Sequence, residues 1–354
     1  MSGFFSFLLY LFLTFFLLGV LIFVHELGHY LTARTCGVTI HEFAIGMGKR
    51  LGGITSKKTG IMYSFRLLPV GGYVAMAGED DETDDPNAFY KKSVWQRMLI
   101  LVAGAGMNVL TGFLAMLILT TGMALSGYKM PSTQIGSFDE TSTSYVSGLE
   151  LGDVILSVDG ARVHTGYDLS YEIMNSGYEP VDVVVMREGQ KLLVPDVIFP
   201  TIEDKGIVFG SMDFLVVALD NTVANVFKVT VFRSTSAIKM VFDSIGGIIS
   251  GRYSLSSMSG PIGVSSAVSE VATQPMAVWN IMYLFALIAM NLGVMNLLPI
   301  PALDGGRLFF RFIEVLRFGK PVKPEIEARI HGAGMALLLL FTAVIALKDV
   351  FVML

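Results

Sequence analysis

The chain has 354 residues, 53% of them hydrophobic and only 16% charged, and its mean hydropathy is +0.63. That composition excludes an ordinary soluble globular protein and points to an integral membrane protein. The net charge of −5, with no Lys/Arg block long enough to track a phosphate backbone, argues against a nucleic-acid partner, and the single cysteine, Cys36, excludes an intramolecular disulfide.

The first predicted element is an apolar span that begins near Phe4 and extends to about Arg34, uncharged until the motif at its far end. It outruns a signal-peptide core and lacks a positive leader, so the span is expected to be retained. Its far end reads Val24-His25-Glu26-Leu27-Gly28-His29. On a helix His25 and His29 are four apart and project from one face, within reach of a single ion, while Glu26 stands beside them as a base for water held by that ion. Ionisable groups at membrane depth are costly unless they have a use. Cys36 could in principle join them, although a small buried thiol is the simpler reading.

After the turn signal Ser56-Lys57-Lys58-Thr59-Gly60, Tyr63, Phe65 and Leu67 alternate with Met62, Ser64 and Arg66, the period of a strand. Pro69-Val70-Gly71-Gly72-Tyr73-Val74 turns the chain and resumes extended structure, giving a small sheet over about 54–76. A sheet edge beside a metal site can pair with an extended substrate segment; a hairpin with only a packing role is the plainer alternative. The run Glu79-Asp80-Asp81-Glu82, with Asp84-Asp85, reads as a solvated acidic loop.

The second span is expected from Met98 to about Ser126, with Gly104, Gly106 and Gly112 suited to close helix packing. The chain then becomes soluble in character. Ser147-Gly148-Leu149-Glu150-Leu151-Gly152-Asp153-Val154-Ile155 and Val158-Asp159-Gly160 resemble the signature of a PDZ domain, circularly permuted as in bacterial proteases, and Val183 to Met186 reads as its buried strand. From Val223 to Ile245 apolar residues fall at helical spacing, predicting an amphipathic helix with a break near Thr235 that lies on the membrane face or under the PDZ-like domain.

Two further spans are expected from Met276 to about Leu303 and from Gly332 to Leu354, the latter interrupted by Lys348 and Asp349. The loop Arg34–Arg97 holds nine Lys or Arg and Arg307–Arg329 holds six, whereas nine are spread over the longer connection Lys129–Arg252. Positive charge therefore places the short loops in the cytoplasm, and the long connection and both termini outside. Asp304 ends the uncharged stretch from Val271 at the same cytoplasmic depth as His25, which makes it the best candidate for the third ligand that a catalytic zinc requires.

Taken together, the H-E-x-x-H in span one, the Gly-Gly-Tyr-Val loop, the PDZ-like insertion, Gly260-Pro261-Ile262-Gly263, and Asn296-Leu297-Leu298-Pro299-Ile300-Pro301-Ala302-Leu303-Asp304-Gly305 resemble, in their order, the site-2 proteases of the bacterial sigma-regulating type with one PDZ domain. The resemblance spans nearly the whole chain. It implies a mainly α membrane protein: a four-transmembrane-helix metalloprotease core with a small membrane-associated β-sheet and an inserted extracytoplasmic PDZ domain of β-rich α+β type. The domains would be 1–126 (helices 1 and 2 with the zinc motif and β-loop), 127–202 (PDZ-like), 203–275 (amphipathic helical linker) and 276–354 (helices 3 and 4). It further implies one Zn²⁺ per chain on His25, His29 and Asp304, with Glu26 as general base. Asn296, Pro299 and Pro301 would hold unwound substrate, and the reentrant sheet with Tyr63, Phe65, Gly71 and Gly72 would contact it. Relatives often carry Gly-Pro-x-x-Asn in span two; Gly104-Ala105-Gly106-Met107-Asn108 lacks the proline, and Asn108 carries over as a weaker substrate contact.

The implied activity is zinc-dependent cleavage of single-pass partners in a bacterial inner membrane. Anti-sigma-like fragments or remnant signal peptides would be the substrates, filtered through the PDZ domain by peptide or ectodomain. A non-catalytic adaptor with a structural zinc closed by His41 or Cys36, and a metal-transport path through the spans, are the competing readings.

Overall fold

The computed structural model describes residues 2–79, 83–204, 206–254 and 260–353. In chain order its elements are α1 (Ser2–Thr35), β1 (Ile40–Thr55), β2 (Met62–Met76), α2 (Val94–Leu125), β3 (Met130–Phe138), α3 (Thr143–Val146), β4 (Val154–Val158), β5 (Ala161–Arg162), α4 (Gly166–Ser176), β6 (Val181–Arg187), β7 (Gln190–Val197), β8 (Thr201–Asp204), β9 (Ile207–Gly210), β10 (Phe214–Leu219), α5 (Val223–Ile249), α6 (Pro261–Thr273), α7 (Ala277–Leu297), α8 (Asp304–Leu316) and α9 (Pro324–Met353). The chain divides into two compact units, Met1–Gly112 with Met258–Leu354, and Phe113–Ser257. Among the described residues four helices are long and apolar enough to cross a membrane, with spans at Leu8–Thr35, Val94–Leu125, Ala277–Leu297 and Glu325–Asp349.

In the first unit, glycines set how closely the helices approach. A Cβ at Gly28 of α1 would overlap the Ala103 carbonyl of α2, and one at Gly293 of α7 would lie 2.6 Å from Val109 of α2. Such contacts let backbones pack where apolar burial gives helices no preference over lipid. The acid that interrupts the fourth span has a structural use. Asp349 Oδ2 accepts the backbone N–H of Gly260 (2.8 Å) and Gly263 (3.1 Å), capping the N-terminus of α6. Because α6 packs on α1, α7 and α9, residues 261–273 belong with the membrane helices and not with the expected 203–275 linker.

β1 and β2 fold back on each other, with antiparallel pairing except where Glu42–Ile45 and Met62–Phe65 run in the same direction. Glu42–Ile45 pairs with Met62–Phe65 on one side and with Gly72–Ala75 on the other, and Met62–Phe65 also pairs with Gly52–Thr55. The sheet thus begins at Ile40, well before the expected 54, because the glycine-rich second half of β1 has no side-chain alternation to read. Gly72–Met76 forms an edge with no further strand partner among the described residues.

The second unit is built on the order β10-β3-β4-β6-β7, all neighbours antiparallel. Its core holds Leu149, Ile155, Val158, Val183 and Val185, each fully buried. β10 pairs with β3, so the sheet runs past the expected boundary at 202 to Leu219. α5 is unbroken through Thr235 and packs on α4. Lys239 of α5 donates to Glu172 of α4 and to Asp243, each at 2.9 Å, and Tyr171 donates to Asp243 at 2.7 Å.

Candidate metal centre

The His25 and His29 imidazoles leave α1 one turn apart, with Nε2 atoms 3.1 Å from each other. Asp304 Oδ2 lies 2.9 Å from Nε2 of His25 and 3.2 Å from Nε2 of His29. These three residues are the only group of three or more His, Cys, Asp or Glu among the described residues whose donor atoms converge, all within 4.8 Å of one another.

The chain after α7 is shaped to deliver that carboxylate. Leu298–Leu303 cannot continue the helix, because Pro299 and Pro301 lack the N–H and restrict the residues before them. Ala302 adopts φ +82°, and its N–H donates to Nδ1 of His331 on α9 at 3.0 Å. α8 then starts at Asp304 itself, and Gly305 and Gly306 sit so close to the Leu297–Leu298 and Ile300 backbones that a Cβ at either would collide.

The protonation pattern favours a cation between the three donors. His29 Nδ1 lies 2.8 Å from the Ile100 carbonyl, which can only accept, so Nδ1 carries the proton and Nε2 presents a lone pair. Asp304 Oδ2 is buried without a hydrogen-bond partner. Donors held by tetrahedral zinc stand about 3.3 Å apart at ordinary Zn–N and Zn–O lengths. The observed 3.1, 2.9 and 3.2 Å are close to that, and two imidazoles with one carboxylate suit zinc while leaving a fourth position open.

A second layer holds the ligands. The side-chain Nδ2 atoms of Asn108 and Asn296 lie 3.4 and 3.5 Å from His25 Nδ1. With the Asn108 amide turned so that Oδ1 faces Nδ1–H, that oxygen, otherwise buried and unpartnered, gains its partner and His25 its tautomer. Asn108 is 1% exposed. In this structure its amide faces His25. On the opposite flank a Cβ at Gly104 would overlap the His29 ring.

Glu26, His25, His29 and Asp304 line a cavity of about 650 Å³ whose far wall is the sheet edge Gly72–Met76, continued by Ala77–Glu79. Gly72 is required there: a Cβ would stand 3.1 Å from Glu26 Cγ and 2.9 Å from the Ala44 carbonyl. Tyr73 anchors the edge by donating to Glu42 at 2.7 Å, and Ser64 (2.5 Å) and Arg66 (2.9 Å) share that carboxylate. Burial works against the Glu42 charge, yet these bonds outweigh it and hold its pKa below the ordinary value. Arg307 pairs with Glu79 across the cavity wall at 2.7 Å, while Asp80 to Glu82 lie outside the described residues.

The expected substrate contacts separate into groups. Gly72 lines the metal cavity and Asn296 touches His25, but Tyr63 and Phe65 line a different pocket with Phe23 and Phe43. Gly71, at φ +87°, packs on Met47. Pro299 and Pro301 lie in the loop before Asp304, and neither is among the residues lining the cavity. Cys36 packs against an apolar cluster around Tyr30 and Phe43, and His41 lines the cavity without joining the ligand group. Sequence reasoning missed Ile100 and His331. A backbone carbonyl leaves no trace in sequence; His331 did leave one, an ionisable residue opening the fourth apolar run.

The sequence model of peptidase family M50 matches residues 13–341. The chain is 34% identical over 336 residues to a "putative zinc metalloprotease" of Clostridium acetobutylicum, covering 94% of each chain. It is 34% identical to a protein of the same description from Fusobacterium nucleatum, covering 94% of this chain and 96% of the other. It is 28% identical over 421 aligned residues to the regulator of sigma-W protease RasP of Bacillus subtilis, with 94% and 96% covered.

Proposed function

The chain belongs to peptidase family M50, the membrane-bound site-2-type zinc metalloproteases, and from that premise we propose that it cleaves single-pass membrane proteins within or beside their spans. The observation that carries the reading is the convergence of His25 Nε2, His29 Nε2 and Asp304 Oδ2, which would hold the zinc, next to a carboxylate that is free to move a proton. Zinc in such a site supplies Lewis acidity toward water and toward the scissile carbonyl oxygen.

The chain's own residues supply the rest. Glu26 takes the proton of the attacking water and returns it to the leaving amide nitrogen. Asn108, with its amide oxygen turned to His25 Nδ1–H, and the Ile100 carbonyl at His29 keep the imidazoles in the ligating tautomer. A substrate segment unwound from its helix pairs with the Gly72–Met76 edge, which exposes its peptide bonds at Glu26 and orients them by main-chain hydrogen bonds. The short, Lys/Arg-rich loops are cytoplasmic, and the connection that follows α2, from β3 to β10, is extracytoplasmic and carries a PDZ-like sheet. In this reading anti-sigma-like proteins already shortened outside, or remnant signal peptides, are the substrates, and the PDZ-like unit selects by ectodomain size or peptide end.

The test is cleavage of a tagged single-pass substrate by purified protein, wild type beside Glu26→Gln and Asp304→Ala, with zinc measured in each. Cleavage lost in both, with zinc kept in the first and reduced in the second, is the expected result. Cleavage by Glu26→Gln at the wild-type rate removes Glu26 from its role, and an inert wild type with full zinc across several substrates removes the protease reading.

A further inference from the structure

The second pocket of the membrane unit shares no residue with the metal cavity. It has a volume of about 290 Å³ and lies between α1 and the sheet, walled by Phe23, Leu27, Phe43, Ile45 and Phe65. On α1, Phe23, Leu27 and Tyr30 occupy a face well turned from His25 and His29. Phe65 is 61% exposed, and Ile54 and Leu51 carry the exposed apolar surface along the sheet.

One end of the pocket is polar. Tyr30 and Tyr63 join hydroxyl to hydroxyl at 2.7 Å, and Arg34 donates to Tyr30 at 3.4 Å. The Tyr63 hydroxyl also meets the side chain of Thr59, in the turn that carries Lys57 and Lys58. Those two lysines and Arg34 are exposed, and no carboxylate among the described residues pairs with any of them. An apolar cleft ending in phenolic hydroxyls, with Arg34 on one of them and two lysines in the turn that meets the other, has the polarity of a lipid: hydrocarbon within, phosphate at the basic end.

From this arrangement we infer that the cleft between α1 and the β1–β2 sheet is a binding site for an anionic phospholipid, with one acyl chain against Phe23, Phe43 and Phe65 and the headgroup phosphate on Arg34, Lys57 and Lys58. Charge complementarity selects the occupant. A substrate side chain would need no cations at the rim, and a zwitterionic lipid would gain little from them. The inference rests on the membrane reading of this unit, and its test does not depend on proteolysis.

The full-length protein in phosphatidylcholine nanodiscs, with a trace of phosphatidylglycerol bearing a diazirine in mid-chain, is irradiated and the adducts mapped by peptide mass spectrometry. Adducts are expected to concentrate in Phe23–Leu27 and Tyr63–Phe65, to be displaced by unlabelled phosphatidylglycerol, and to resist phosphatidylcholine and inorganic phosphate. Each Lys or Arg near a membrane surface adds about 1 kcal/mol, so Arg34→Gln should lower this labelling about fivefold. Lys57→Gln with Lys58→Gln, two exposed turn changes that leave the cleft intact, should lower it more than tenfold. Labelling of the exposed α9 residues Leu337, Leu339 and Leu340 serves as the folded-protein reference. Equal displacement by phosphatidylcholine, displacement by inorganic phosphate, or labelling unchanged in the turn variant would overturn the inference.

Discussion

Two clusters of polar side chains, one in each unit, have nearly the same dimensions and opposite chemistry. Around Lys239 the charges alternate: one ammonium donates at 2.9 Å to the carboxylates of Glu172 and Asp243, and the Tyr171 hydroxyl supplies another donor. Around Asp304 three acceptor atoms meet at 2.9 to 3.2 Å, and the proton of His29 is committed to Ile100. The first cluster is complete as it stands. The second brings three lone pairs together unless a cation or an imidazolium proton lies among them, and that difference separates a structural ion-pair network from a candidate metal centre when distances alone do not.

The largest way to sharpen the contrast is to remove the proton carrier while leaving the donors alone. Glu26→Gln should lower the cleavage rate by about 10²–10⁴ with zinc content unchanged, whereas Asp304→Ala should lower zinc content and rate together; both are read by metal analysis beside a cleavage assay. Gly104→Ala comes next, because its new methyl meets the His29 ring. It should weaken zinc binding by about 10–100-fold, measured by competition with a chromogenic chelator, with helix content unchanged by circular dichroism. Asn108→Leu removes one of two amides that face His25 and should weaken zinc by up to about 10-fold. Zinc affinity unchanged in this variant would leave Asn108 a packing role only.

Much of the metal centre was legible in the sequence because its logic is local or topological. His25 and His29 follow from helical spacing, and Asp304 from being the acid at matching membrane depth. The loop that delivers Asp304 announced itself through two prolines, but the His331 contact that holds Ala302 joins segments that only the fold brings together. The sheet was half legible. Tyr63, Phe65 and Leu67 alternate as a strand should, yet the alternation cannot say which edge faces Glu26, and Tyr63 and Phe65 turned out to face another pocket. The end of the soluble sheet was hidden for a similar reason. β10 follows β7 in sequence by way of a hairpin but pairs with β3, the first strand of the unit, and short-range patterning carries no sign of such a return. The capping of α6 by Asp349 was likewise invisible, since a lone acid in an apolar run looks like an interruption until its partners, 86 and 89 residues away, are known.

The smallest expected effect lies in the complete cluster and isolates it from the metal. Lys239→Met should leave zinc content untouched, because Lys239 belongs to the Phe113–Ser257 unit and the three donors to the other. It should destabilise the Phe113–Ser257 unit by about 1–3 kcal/mol, the cost of leaving a buried acceptor without its partner. Glu172 is 4% exposed along its side chain, and burial, opposed in the wild type by Lys239, already raises its pKa. Without the ammonium nothing offsets that burial, so the folded state holds the Glu172 proton more tightly than the unfolded chain does. Stability of the variant therefore rises as pH falls through the raised folded pKa. The deficit against wild type, read from urea melts of the full protein followed by protease sensitivity within this unit, should shrink from pH 8 to pH 5. Glu172→Gln added to Lys239→Met should flatten that pH dependence, because the group that titrates is gone. A deficit that is constant with pH in Lys239→Met would mean that the lysine contributes through its methylene packing on Tyr171 and not through its charge.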